Sequence, residues 1–287
     1  GALAAAGADV VELPLAATDP DRAVLAAVRA AIAERPLAGL LCLTGLDENP
    51  DRRHPVVPVG LDRTLAVVRT LTALEVDVPV WVATCGAVGT GPDDPPRHPA
   101  QALLWGAGTA LGLELPRRWG GLVDLPAVLD RDGGERLCAV LTGAGGEEHL
   151  AVRDGDVLAR RLVRAPGRGP AVPWRPRDTV LITGGTGALG GHLARWAARS
   201  GAGRIVLVSR RGVAADGTAA LQDELIALGV DVTVVACDLT DRDAVATLFA
   251  KVAVDGPPIR AVLHAAGVSG REVPLDELTT AELAGVL

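Results

Sequence analysis

Short apolar runs recur along this chain with little polar alternation inside them. Pro79-Val80-Trp81-Val82-Ala83-Thr84, Gly121-Leu122-Val123-Asp124-Leu125, Asp178-Thr179-Val180-Leu181-Ile182 and Arg204-Ile205-Val206-Leu207-Val208 are examples. Runs of this length, rich in bulky and β-branched residues, predict strands buried on both faces of a sheet. Between them, residues 61–74, 99–115 and 191–199 carry apolar residues at helical spacing. Strands that alternate with helices predict a parallel sheet assembled from βαβ units.

The pattern also repeats. Residues 7–45 align without a gap on residues 229–267, and Gly7, Asp9, Val10, Thr18, Asp19, Asp21, Ala31, Pro36, Leu41 and Gly45 all recur. Each copy reads as a strand (residues 10–13 and 232–237), a Thr-Asp helix start, an amphipathic helix, a Pro-marked turn and a second strand (residues 39–43 and 261–265) ending in Gly. Thr18 and Thr240 are the expected N-caps, because a hydroxyl there can accept from the free amides of a first helical turn. Further on, residues 151–153 and 158–163 predict a hairpin around Asp154-Gly155. Residues 166–176, rich in Pro, Gly and Arg, read as a linker.

The expected fold class is therefore α/β, with two tandem Rossmann-like, doubly wound parallel-sheet subdomains. Residues 1–165 form the first, 166–176 the linker, and 177–287 the second. Measured against the first copy, the second is expected to be incomplete at its C-terminus by roughly 100 residues.

Composition narrows the function. The chain has 287 residues, 49% hydrophobic and 22% charged, with a net charge of -7 that argues against a general nucleic-acid surface. Cys42, Cys85, Cys138 and Cys237 lie far apart, so no metal or redox spacing is present. No uncharged apolar run approaches the ~20 residues of a membrane span, and no leader pattern is visible. A reducing, cytoplasmic setting is expected, with buried thiols and no bound metal. The chain opens on Gly1 and contains no Met, so it reads as a piece of a longer polypeptide, and with no Tyr this piece itself lacks any phenolic acid.

The chemistry is concentrated after residue 177. Thr183-Gly184-Gly185-Thr186-Gly187-Ala188-Leu189-Gly190 follows a strand, precedes a helix and satisfies G-x-G-x-x-G within a βαβ unit. In that context the glycines allow a tight turn and close approach to a pyrophosphate, and the helix N-terminus supplies amides and partial positive charge. The next strand ends in Ser209-Arg210-Arg211, where an NAD-preferring site would carry an acid. Guanidinium groups suit a 2′-phosphate, so NADPH is the expected cofactor. Asp238-Leu239 closes the third strand, where Asp238 can reach an adenine edge or cap the next helix. His264-Ala265-Ala266-Gly267 ends the fourth. Small residues there let the backbone pass under a cofactor, and the apolar neighbours of His264 speak against a catalytic base.

The segments TVLITGGTGALGGHLARWAA, IVLVSRRG, ACDLTD and AVLHAAGV resemble the catalytic subdomain of ketoreductase domains of modular type I polyketide synthases, in the short-chain dehydrogenase/reductase superfamily. VWVATCGAV and ALLWGAGTALGLELPRRWGGLVDLP resemble the structural subdomain of the same domains. The resemblance implies reduction, with NADPH, of the β-keto group of an acyl thioester on an acyl carrier protein, alongside neighbouring synthase domains. It implies that the first subdomain holds no cofactor, and that Trp81, Trp105 and Trp119 are packing anchors. The family's catalytic Tyr, Ser, Lys and Asn find no match here, so no catalytic residue is assigned and the chain alone is expected to be inactive. Val268 is followed by Ser269-Gly270-Arg271 where some members carry Leu-Asp-Asp, which resembles the A type. A reductively silent domain acting as a scaffold is the alternative.

Overall fold

The alternation read from the sequence becomes two sheets, each covered on both faces. The computed structural model describes residues 1–16, 21–34, 36–143, 145–165 and 174–287. It divides into one unit of Gly1–Arg164 with Gly270–Leu287 and a second of Ala165–Ser269.

In the first unit, strands β1 (Leu40–Cys42), β2 (Val80–Cys85), β3 (Trp119–Leu125), β4 (His149–Arg153) and β5 (Asp156–Ala159) form one sheet in that order. The first four are parallel, and β5 returns antiparallel to β4. Helices α1 (Ala2–Ala5), α2 (Asp21–Glu34), α3 (Val59–Ala73), α4 (Ala102–Glu114) and α5 (Arg131–Leu141) surround it. Because side chains alternate along a strand, Val80, Val82 and Leu122 enter a core shared with Val24, Val28, Leu61, Leu65 and Leu104. Trp81, Ala83, Val123 and Leu125 point the other way, against Leu137 and Val140. Trp81, Trp105 and Trp119 are all buried.

In the second unit, β6 (Thr179–Thr183), β7 (Arg204–Ser209), β8 (Asp231–Ala236) and β9 (Ile259–His264) form a parallel sheet in the order β8-β7-β6-β9. Helices α6 (Ala188–Arg199) and α7 (Thr218–Ala227) cover one face with Ala194, Ala197, Leu221 and Leu225, against Val180, Ile182, Ile205 and Leu207. Helix α8 (Arg242–Val254) covers the other with Leu248 and Val252, against Leu181, Val206 and Val208.

Three expectations are corrected. Residues 10–13 form no strand, although their repeat partners lie in β8. The reason is pairing: β8 lies against β7, and among the described residues nothing before Leu40 supplies an equivalent neighbour. Thr240 is not the N-cap of α8. Asp241 is, accepting from the amides of Asp243 and Ala244, while Thr240 turns back to Asp238. The returning strand of the hairpin is Asp156–Ala159, earlier than expected, because Arg153 pairs directly with Asp156 across a two-residue turn. Thr18 and residues 166–173 of the linker lie outside the described residues.

The segment after Ser269 packs on the first unit. Leu275, Leu283 and Ala284 lie against its larger core. The amide of Leu275 donates to Glu114, Arg69 donates to the Leu278 carbonyl, and the Thr280 hydroxyl donates to the buried carboxylate of Asp62. Its short helix α9 (Thr280–Ala284) opens with a capping box between Thr279 and Glu282.

Candidate functional site: a glycine loop at the strand ends of the second unit

All four strands of the second sheet run the same way, so their C-terminal ends share one edge. The chain steps outward from β6 to β7 to β8 and then returns to the far side of β6 as β9. The order reverses beside β6, and ligands of open α/β sheets bind at such a reversal.

The glycine loop occupies that point. Gly184 has φ +64, and a Cβ there would lie 2.6 Å from the Ala265 carbonyl oxygen. A Cβ on Gly190 would lie 2.1 Å from the Gly184 carbonyl oxygen, so only glycine lets α6 start this close to the loop. Gly185 is pressed on β7, with a Cβ position 2.9 Å from Leu207, and its amide bonds the Val208 carbonyl at 3.1 Å. Gly187 differs. Its Cβ position meets only the Gly184 oxygen, at 3.3 Å, and Gly187, Ala188 and Leu189 form an exposed rim. Gly187 is the N-cap of α6 and no side chain caps the helix there, so its first amides face the open rim. The loop is thus closed against the sheet and open outward, the shape needed to receive a pyrophosphate.

The other sequence-derived residues gather at the same edge. Ser209 ends β7, and its hydroxyl accepts from the Gly212 amide at 3.0 Å. Arg210 and Arg211 are exposed beyond it, and Arg211 reaches Asp216 at 3.3 Å. Asp238 follows β8 and accepts from both the amide and the hydroxyl of Thr240, at 3.0 and 2.8 Å. Those bonds and the nearby positive charge of Arg210 hold its carboxyl below the usual range. It is therefore an anion next to a guanidinium at neutral pH. Cys237 is buried beside it, and burial pushes its thiol up, away from nucleophilic use.

His264, Ala265, Ala266 and Gly267 leave β9 directly beside the loop. Thr183 joins the two: its hydroxyl accepts from the amides of Ala265 and Ala266 and meets His264 Nδ1 at 2.7 Å. Sequence reasoning saw only apolar neighbours around His264. Its polar partner comes from β6, distant in sequence, and no local signal announces it.

The corresponding edge of the first unit is built differently. Asp124 on β3 is fully buried and accepts from the Thr84 hydroxyl at 2.6 Å and the Ala87 amide at 2.9 Å. Arg153 on β4 closes on Asp124 and Asp94, both at 2.7 Å. Trp105 donates its indole N–H to Thr84 at 3.1 Å. A polar network therefore ties the ends of β2, β3 and β4 together. Sequence reasoning missed it, because Asp124 sits inside an apolar run and Arg153 inside a hairpin. Nearby, a cleft of about 420 Å³ is lined by Asp47, Glu48, Asn49, Cys85, His98 and Gln101, among others.

Known proteins carry both halves. The family described as "KR domain" matches residues 178–287, and "Polyketide synthase extender module SpnB, Rossmann fold domain" matches residues 1–162. Polyketide synthase GfsA of Streptomyces halstedii is 48% identical over 297 residues, covering 100% of this chain and 4% of that protein. Pikromycin polyketide synthase component PikAIII of Streptomyces venezuelae is 43% identical over 289 residues, covering 100% of this chain and 18% of its own length. The chain thus spans a small part of these synthases. Among solved structures, one described as A-type ketoreductases from a modular polyketide synthase matches with a TM-score of 0.87 and 41% identity, covering 99% of this chain and 60% of the other. A C2-type ketoreductase from a modular polyketide synthase matches with a TM-score of 0.87 and 40% identity, covering 99% and 62%. With both halves matched in the same order over nearly their whole length, this chain belongs to the ketoreductase domains of modular polyketide synthases.

Proposed function

We propose that the second unit binds NADPH and serves the reduction of a β-keto group on an acyl thioester carried by an acyl carrier protein, with neighbouring synthase domains as its other partners. One observation carries the proposal: the glycine loop is tight on its sheet side and open on its outer rim, at the reversal of strand order, with Arg210 and Arg211 at the adjoining strand end. Thr183, Gly184, Gly185, Thr186, Gly187, Ala188, Leu189 and Gly190 would hold the pyrophosphate. Ser209, Arg210 and Arg211 would take the 2′-phosphate. Asp238 and Leu239 would flank the adenine, and His264, Ala265, Ala266 and Gly267 would pass beneath the nucleotide.

Bound there, the nicotinamide would supply the hydride. The proton donor that the family resemblance implies is a tyrosine, and these 287 residues contain none. We therefore assign no catalytic residue, and the chain alone is inactive on this reading. Ser269-Gly270-Arg271 after Val268 supports the A type. Among the described residues no helix is long and apolar enough to cross a membrane.

The test is cofactor selectivity. Arg210→Ala should weaken NADPH by about tenfold or more, the worth of a charge-assisted hydrogen bond, and leave NADH nearly unchanged. Titration by nucleotide fluorescence measures both. Equal losses for the two cofactors would remove the 2′-phosphate from the Arg210 side of the site.

A further inference from the structure

The Thr183 hydroxyl lies where β6 gives way to the glycine loop, and its bonding capacity is fully used. Its oxygen accepts the Ala265 amide at 3.1 Å and the Ala266 amide at 3.2 Å, the former shared with the Thr183 carbonyl. A hydroxyl offers two lone pairs and one proton. With both lone pairs facing amides, the proton goes to the remaining neighbour, His264 Nδ1 at 2.7 Å. Nδ1 is then an acceptor, and a neutral imidazole that accepts at Nδ1 carries its proton on Nε2. The imidazole stands exposed at the end of β9, whereas Thr183 is buried.

We infer that His264 is a positioning residue for the nucleotide site: as the neutral Nε2–H tautomer it takes the proton of Thr183 and fixes the hydroxyl that holds Ala265 and Ala266 against the glycine loop. The inference rests on the reading of the second unit as a cofactor site. Without an acceptor at residue 264, the buried Thr183 proton has no partner. The hydroxyl then rotates and loosens one of its two amide bonds. The loop follows, because the Gly184 Cβ position is only 2.6 Å from the Ala265 oxygen.

The test uses this chain with its histidines labelled with nitrogen-15, at mildly alkaline pH. The His264 Nδ1 resonance should show an accepted hydrogen bond and move to the unbonded position in Thr183→Val. In parallel, NADPH is titrated into wild type, His264→Leu and His264→Asn. Leu should raise the Kd by about 3- to 10-fold, the worth of one hydrogen bond, and Asn, whose amide oxygen replaces Nδ1 as acceptor, should stay within about twofold. Thermal melts of the two variants show that each is folded. An Nδ1 resonance unmoved by Thr183→Val, or equal Kd values for Leu and Asn, overturns the inference. A wild-type chain that binds no NADPH overturns the cofactor reading and the positioning role together, while the nitrogen signal still decides whether the bond exists.

Discussion

Arg153 and Asp124 show how much a single pair of residues holds in the first unit. Asp124 is fully buried, and Arg153 supplies its counter-charge while also bonding the carbonyls of Val88, Asp124 and Val152. Removing one partner of a buried ion pair leaves a charge in a poorly solvating interior, which costs far more than losing an exposed pair. Arg153→Met, which keeps most of the side-chain volume, should therefore destabilise the first unit by about 3–5 kcal/mol. Urea unfolding measures this, and a loss below about 1 kcal/mol would mean that Asp124 finds other partners. Neither residue stood out in the sequence. A lone Asp in an apolar run carries no signal of its partner, which lies on a different strand.

Elements were more legible than residues, where pairing and local chemistry agreed. β2, β3, β6 and β7 lie where continuous apolar runs placed them, because a strand buried on both faces needs no alternation. The failures had a physical source in each case. Residues 10–13 have the composition of a strand but, among the described residues, no strand to pair with, and β-structure requires a partner that propensity does not supply. Thr240 and Asp241 are both good caps, and the stronger acceptor at the more favourable position took the amides. Helix α9 shows a cap completed by charge. Arg271 bonds Glu282 at 2.8 Å, and the Thr279 amide and hydroxyl also donate to it. Together they pull the Glu282 carboxyl from 4.5 down to about 2. A carboxyl whose folded pKa lies below its unfolded one stabilises above the unfolded value and loses that contribution as pH falls through the folded one. The capping box should therefore hold at neutral pH and weaken between about pH 4.5 and 2. Carbon-13 titration of Glu282 checks this; a midpoint near 4.5 would mean that the box is not formed in solution.

At the scale of the whole chain, the repeat was the most informative signal in the sequence. It showed two related α/β units, and the structure contains two units, one with a parallel sheet and one parallel but for β5, with matching helices α2 and α8 and strands β1 and β9. The repeat could not show how differently the two sheet edges are finished. In the second unit the edge carries a glycine loop with an open rim. In the first it carries a buried network of Thr84, Asp124, Arg153 and Trp105. The glycine loop was legible because close backbone approach demands a particular residue type at particular spacings. The network was not, because its members are drawn from three strands and one helix.

The central claim is that one unit holds the nucleotide and the other does not. Titrating NADPH into the nitrogen-labelled, deuterated chain while following backbone amide resonances tests it directly. The account predicts shifts at Thr183 to Gly190, Ser209 to Arg211, Asp238 to Leu239 and His264 to Gly267, with the amides of Thr84, Ala87 and Asp124 unmoved. Saturable shifts at those first-unit amides, or none at the glycine loop, would contradict it.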